Sequence, residues 1–299
     1  ICYIKLRLMK GIKSTPQLSQ VWLKSLQFVA TIKQGLFTEA IELGEGLIKD
    51  PAVSDVIIVQ YVQLLSKHKR ADEAQLVLKS FLKQHPESSD AWASLGELQQ
   101  QQNKYSDAIT SYEKALKIQA KPINSLAMAR LYMRQGNWKK ASTIIDINQF
   151  PVSLKNEAFK LKAACSFQLK AYEKSAALYQ KAYALTPDPN TLLSRVIALQ
   201  VAGKYERALA TIDRIIEHEN ELPHIHFHRA QILVGTGMTA KAAKSFVHFL
   251  KLADNAPEHA KRVKHASKWM AQYQRSLIVP PNIQGGAVKP ELNVPVSTP

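Results

Sequence analysis

Three histidines alternate at His224, His226 and His228, and only His224 and His228, four apart, would share one face of a helix. An i, i+4 histidine pair is a zinc-binding spacing, but no acidic residue sits between them in the H-E-x-x-H sense, so zinc hydrolase chemistry is not indicated. Satisfied or solvent-facing side chains are the expectation for all three. The chain contains no G-x-G-x-x-G, no G-x-x-x-x-G-K-S/T and no G-x-S-x-G, the spacings that build phosphate cradles and nucleophile elbows. The sequence thus points to no enzyme, no metal and no cofactor. The other spacing with chemical content is Arg130 and Arg134, four apart, which would turn two guanidinium groups toward the same anionic partner.

Charge sets the class of partner. Lys and Arg number 40 against 24 Asp and Glu, a net charge of +16 that favours acidic proteins, nucleic acid or an anionic membrane surface. Most of the lysines are expected to solvate outer helix faces. No Lys/Arg run and no RNP-type signature occurs, so nucleic acid is not the expected partner. Cys2 and Cys165 lie far apart in the sequence, so no structural disulfide is expected and Cys165 reads as a small core residue. Composition places the chain among cytoplasmic, all-helical proteins. Residues Ile1 to Lys10 carry Lys5, Arg7 and Lys10, too short and too charged a run to span a bilayer or to act as a signal peptide. This opening, which lacks an initiator methionine, is expected to be a linker or the edge of an upstream domain, with a native start or an interfacial helix as the alternatives.

The elements that must carry these residues announce themselves by period. Alanine or serine returns at Ala40, Ala74, Ala108, Ala141, Ser175, Ala208 and Ala242, every 33 or 34 residues. A constant period of that length is the signature of a solenoid whose units bury their apolar faces only by stacking. In the clearest copy, Ser89 to Lys121, Trp92, Leu95 and Gly96 are followed by Ala108, Tyr112 and Ala115. A small residue at Gly96 would let a second helix approach the first, with Ala108 completing the contact and Tyr112 supplying bulk.

This unit resembles the tetratricopeptide repeat, whose pattern W-x2-L-G-x2-Y, A-x3-F is met at Trp92, Leu95, Gly96 and Ala108, with Tyr112 in place of Phe. Gln99 stands where the pattern has Tyr, and Pro122 arrives late. The resemblance implies an all-α fold, an α-α superhelix of stacked antiparallel helical hairpins, right-handed, with seven units over 21–54, 55–88, 89–121, 122–155, 156–188, 189–222 and 223–256. Residues 1–20 then form a leading linker, 257–278 a capping helix and 279–299 a disordered, proline-rich tail. Gly35, Gly136, Gly203 and Gly237 each hold the fifteenth place of a unit, where a left-handed residue can end the first helix. Pro86 and Pro187 mark second-helix ends. In the fourth unit Asp146, Asn148 and Pro151 should shorten the second helix, with a kink or loosened packing. In the cap, Val263, Ala266, Met270, Tyr273 and Leu277 line one face and Lys261, Lys264, Lys268 and Arg275 another.

Members of that family hold ligands in the concave groove lined by first helices. The implied groove residues are Trp22, Gln60, Gln63 and Lys67, then Glu97, Arg130, Arg134 and Lys160, then Asn190, Ser194, His224, Phe227 and His228. The Lys and Asn carboxylate clamp of the chaperone-tail-binding members is absent, since Asp90, Ala93, Ser94 and Glu97 occupy its places in the Ser89 unit. The resemblance therefore implies a protein or peptide partner, acidic in view of Arg130, Arg134 and Lys160. An output module of a signalling protein, such as a receiver-tetratricopeptide response regulator, is the second reading and nucleic-acid binding the third; self-association is compatible with either.

Overall fold

The computed structural model describes residues 16–218, 221–254 and 256–278, with side chains from residue 20. Fifteen α-helices and two short 3-10 turns, with no strand, make up the described residues. In chain order the helices are α1 Pro16–Gln34, α2 Phe37–Leu47, α3 Asp55–Lys67, α4 Ala71–Gln84, α5 Ser89–Gln101, α6 Tyr105–Ile118, α7 Pro122–Arg134 and α8 Trp138–Ile144. They continue as α9 Val152–Gln168, α10 Tyr172–Leu185, α11 Pro189–Val201, α12 Tyr205–Ile216, α13 Pro223–Gly235, α14 Thr239–Ala253 and α15 Ala260–Ile278. The chain divides into two compact units, residues 1–165 and 166–299. The fold is all-α, built of antiparallel helical hairpins. The expectations for 279–299 and for residues 1–15 of the leading linker fall outside the described residues, while residues 16–20 of that linker belong to α1.

Local chemistry explains the hairpins. Pro122, Pro189 and Pro223 open α7, α11 and α13, where a missing N–H costs nothing. The Asp188 carboxylate accepts from the N–H groups of Asn190 and Thr191, and Ser88 Oγ from that of Ala91. Helices α4 and α10 stop at Gln84 and Leu185, just ahead of Pro86 and Pro187. Every hairpin turns through one left-handed residue, at Gly35, Lys69, Asn103, Gly136, Lys170, Gly203 and Gly237, with φ between 61° and 78°. Only four of the seven are glycine. Left-handed backbone costs a residue with a Cβ about 1–2 kcal/mol, and glycine returns about 0.4–1 kcal/mol of that through its freer unfolded chain. Lys170→Gly is therefore expected to raise stability by about 0.5–1 kcal/mol in urea unfolding.

Small residues set the helix spacing. A Cβ on Gly96 would lie 3.0 Å from the Tyr112 ring and 3.2 Å from the Ala108 carbonyl oxygen, so the glycine admits both. Ala40, Ala74, Ala108, Ala141, Ser175, Ala208 and Ala242 are all fully buried. The fourth hairpin differs from expectation. Helix α8 does stop early, and Asp146 accepts from the N–H of Asn148 to start a 3-10 turn. Packing is not loosened, however: Ile145 and Phe150 plug the gap and form a core with Leu126, Ala129 and Ala158. Pro151 then starts α9 at Val152, ahead of Asn156. In the cap, Ala266 is buried and Val263, Met270 and Tyr273 are half-buried, but Leu277 is exposed, so the apolar stripe outruns its partner helix.

Candidate partner-binding surface

The first helices α1, α3, α5, α7 and α9 carry the implied groove residues of the first compact unit. Gln63 and Lys67 on α3 and Glu97 on α5 are exposed; Trp22 on α1 and Gln60 on α3 are half-buried. Arg130 on α7 is not a free cation. It forms an ion pair with Glu157 on α9. Arg134, exposed at the end of α7, lays its guanidinium 5.4 Å from the Tyr105 ring centroid and donates to the phenol oxygen at 2.6 Å. The same hydroxyl donates to Asn103 Oδ1 at 2.6 Å, so Arg134 is held in one orientation while keeping its charge. Lys160 on α9 is half-buried and engaged within the fold.

The three cations therefore do not form one open basic step. Glu157 neutralises Arg130, and a second ion pair of the same kind, Lys121 with Asp90, ties the start of α7 to that of α5. Each uses a carboxylate at the second place of a unit, Glu157 with a cation of the preceding unit and Asp90 with the last residue of its own unit. The Arg130–Glu157 spacing, a little under one repeat, was readable in the sequence as opposite charges on neighbouring first helices. Burial pushes the Tyr112 phenol up to about 12, with Glu97 adding to the effect and Arg130 opposing it. Glu97 and Arg130 thus face the same ring from adjacent first helices.

In the second compact unit Asn190 is exposed on α11, and Ser194, half-buried, donates to the Asn190 carbonyl at 2.9 Å. His224 is half-buried on α13; burial, then Arg262 and His259, lowers its pKa. Phe227 and His228 lie elsewhere than a groove surface. Phe227 is 2% exposed, with the rings of Phe249, His265 and Phe246 at 5.2, 5.7 and 5.9 Å. His228 is 8% exposed, and its Nδ1 is buried with no hydrogen-bond partner. The reason is that α14 and α15 close over α13 at this end of the chain, so places that line a surface elsewhere become core. His226, likewise buried, meets His248 edge-on at 4.2 Å. A buried amide pair, Gln200 Nε2 to Gln231 Oε1 at 3.2 Å, links α11 and α13 and carries no signal in the sequence pattern.

Stacked helical hairpins that leave polar and charged first-helix side chains open, with no constellation of catalytic groups among them, define a helical-repeat protein built to present surface. A family model described as "Tetratricopeptide repeat" matches residues 62–122, and one described as "Anaphase-promoting complex, cyclosome, subunit 3" matches residues 101–182. Residues 62–122 thus carry the tetratricopeptide-repeat pattern, and the fold is that of tetratricopeptide-repeat proteins. No curated protein matches it in sequence. Among solved structures, the C-terminal part of a TPR repeat-containing protein from Cytophaga hutchinsonii is 16% identical, with a TM-score of 0.65 over 80% of this chain and 98% of that one. YrrB, described as a TPR protein with an unusual peptide-binding site, is 15% identical, with a TM-score of 0.55 over 64% of this chain and 97% of its own. A tetratricopeptide repeat protein from Parabacteroides merdae is 16% identical, with a TM-score of 0.52 over 85% and 100%. At these identities the shared property is the fold. No helix among the described residues is long and apolar enough to cross a membrane.

Proposed function

We propose that this chain is a non-catalytic scaffold that holds a protein or peptide partner on its first-helix surface, and that the partner contributes an acidic segment. The observation that carries the reading is Arg134, an exposed guanidinium fixed on Tyr105; Lys67, also exposed, holds the same thirteenth place two units earlier. A pre-oriented cation loses less side-chain freedom on binding than a mobile one, which favours it as an anchor. The net charge of +16 adds long-range attraction for an acidic partner. The peptide-binding site attributed to YrrB supports a peptide as one form of that partner. Glu97 and the Arg130–Glu157 pair limit the acidic segment to the neighbourhood of Arg134, because a carboxylate laid along Glu97 would be repelled.

The test uses the full chain immobilised to capture its partner, followed by affinity measurement of the purified pair across ionic strength. Arg134→Glu is expected to weaken binding about tenfold, roughly 1.4 kcal/mol, with helicity unchanged, and the wild-type affinity should fall as salt rises. Affinity unmoved by Arg134→Glu would overturn the reading.

A further inference from the structure

The seventh place of each unit, apolar in Leu95 and Met128, carries a cation in the last three: Lys162, Arg195 and Arg229. Each sits on a first helix and is half-buried, and Lys162 donates to the Ile145 carbonyl at 2.6 Å. Arg229 on α13 is fully provided for. Its Nε donates to Asp213 Oδ1 at 2.7 Å and its Nη1 to Ser245 Oγ at 2.8 Å. Asp213 belongs to the second helix of the preceding unit and Ser245 to that of the same unit.

Arg195 on α11 repeats half of this arrangement. Its Nη1 donates to Thr211 Oγ1, and Thr211 holds in its unit the place Ser245 holds in the next. The carboxylate half is missing, because the place equivalent to Asp213 is Gln180 on α10. Arg207 and Arg214 lie four residues before and three after Thr211 on α12, hence on the same helix face as the hydroxyl that holds Arg195, and both are exposed. Among the described residues neither takes part in an ion pair, and Arg195 has no carboxylate partner. Burial, then Arg207 and Arg214, lowers the Arg195 pKa, the direction expected of a cation partly withdrawn from water beside like charges. A half-buried charge without a counter-ion is unfavourable, and an anion that supplies one recovers that loss.

We propose that Arg195, Arg207 and Arg214 form a site for one carboxylate from an acidic segment of a partner protein, which takes the place that Asp213 holds beside Arg229. The site differs from the first-helix surface at Arg134 and stands independently of it. A carboxylate fits better than a nucleic-acid backbone because a single half-buried guanidinium needs one counter-charge, whereas a phosphate chain draws its affinity from many contacts spread over a surface.

The experiment measures fluorescence anisotropy of a labelled hexaglutamate peptide, and of a labelled ten-nucleotide single strand, against the full chain. Arg195→Gln and the double change Arg207→Gln/Arg214→Gln are each expected to weaken hexaglutamate binding at least fivefold, while Lys79→Gln, an exposed change on α4, leaves it within twofold. Gln180→Asp should supply the missing carboxylate from within the chain, raising the melting temperature and weakening the peptide by a similar factor. Unchanged peptide affinity in Gln180→Asp, with a raised melting temperature, would overturn the proposal. So would a single strand that binds more tightly than the peptide and loses the same factor in Arg195→Gln. Should Arg195→Gln not fold, the double change at the two exposed arginines decides by the same criterion.

Discussion

Replacing Gly44 by alanine is expected to lower stability by about 1–3 kcal/mol, while the same change at Gly46, two residues along the same helix, is expected to raise it by up to about 1 kcal/mol. Both glycines lie within α2, so alanine improves helix propensity equally at each. The difference is what the new methyl meets. At Gly46 nothing lies within 4 Å, but at Gly44 a Cβ would fall 2.2 Å from Cδ2 and 2.5 Å from Cε2 of Tyr61. Tyr61 cannot yield easily: it is fully buried on α3, with its ring edge-on to Phe28 at 6.3 Å. The twenty-fourth place of a unit is bulky elsewhere, at Leu78, Tyr112, Ile145, Tyr179, Ile212 and Phe246. Only the first unit has glycine there, and Tyr61, at a seventh place where later units have Leu95 or Met128, fills the volume from the neighbouring helix. Tyr61→Leu in the Gly44→Ala background should therefore recover at least half of the loss in urea unfolding. Additive losses in that double variant would show that the two residues are not one packing unit.

Acid is expected to destabilise the end of the chain formed by α13, α14 and α15. Burial, then Arg262 and His224, pushes His228 down to about 3. His224 is lowered by burial, Arg262 and His259, and His265 by burial and Lys268. A histidine lowered in the fold binds its proton less tightly there than in the unfolded chain, whose ordinary value is 6.5. The unfolded state therefore takes up more protons as pH falls below about 6.5, and stability falls with it, down to about pH 3 for His228. One such group contributes a slope of about 1.4 kcal/mol per pH unit within its window. His228→Leu should flatten the profile between pH 6 and 4 by about that slope, and at neutral pH it should cost little, since it removes a buried nitrogen with no hydrogen-bond partner. A parallel pair of pH profiles would refute the assignment.

The sequence by itself determined the architecture. The alanine and serine period fixed the number and order of hairpins, because a close helix contact admits nothing larger at Ala108 or Ala208, and glycine at Gly35, Gly136, Gly203 and Gly237 marked where first helices turn. The equivalent turns at Lys69, Asn103 and Lys170 were hidden, since their left-handed backbone is imposed by the stacked helices rather than preferred by the residue. Charge content was equally legible, yet its disposition was not. Whether Arg130 is free or neutralised depends on Glu157 lying opposite it across two stacked helices, and whether Phe227 and His228 line a surface or a core depends on α14 and α15 closing over α13. The tertiary structure alone also set Arg195 apart from Arg229, by placing Asp213 beside one and no carboxylate among the described residues beside the other. Periodicity reports which positions approach each other within a repeat; the counter-ions of Arg130 and Arg229 come from the neighbouring repeat, and only the stacking decides which side chain that is.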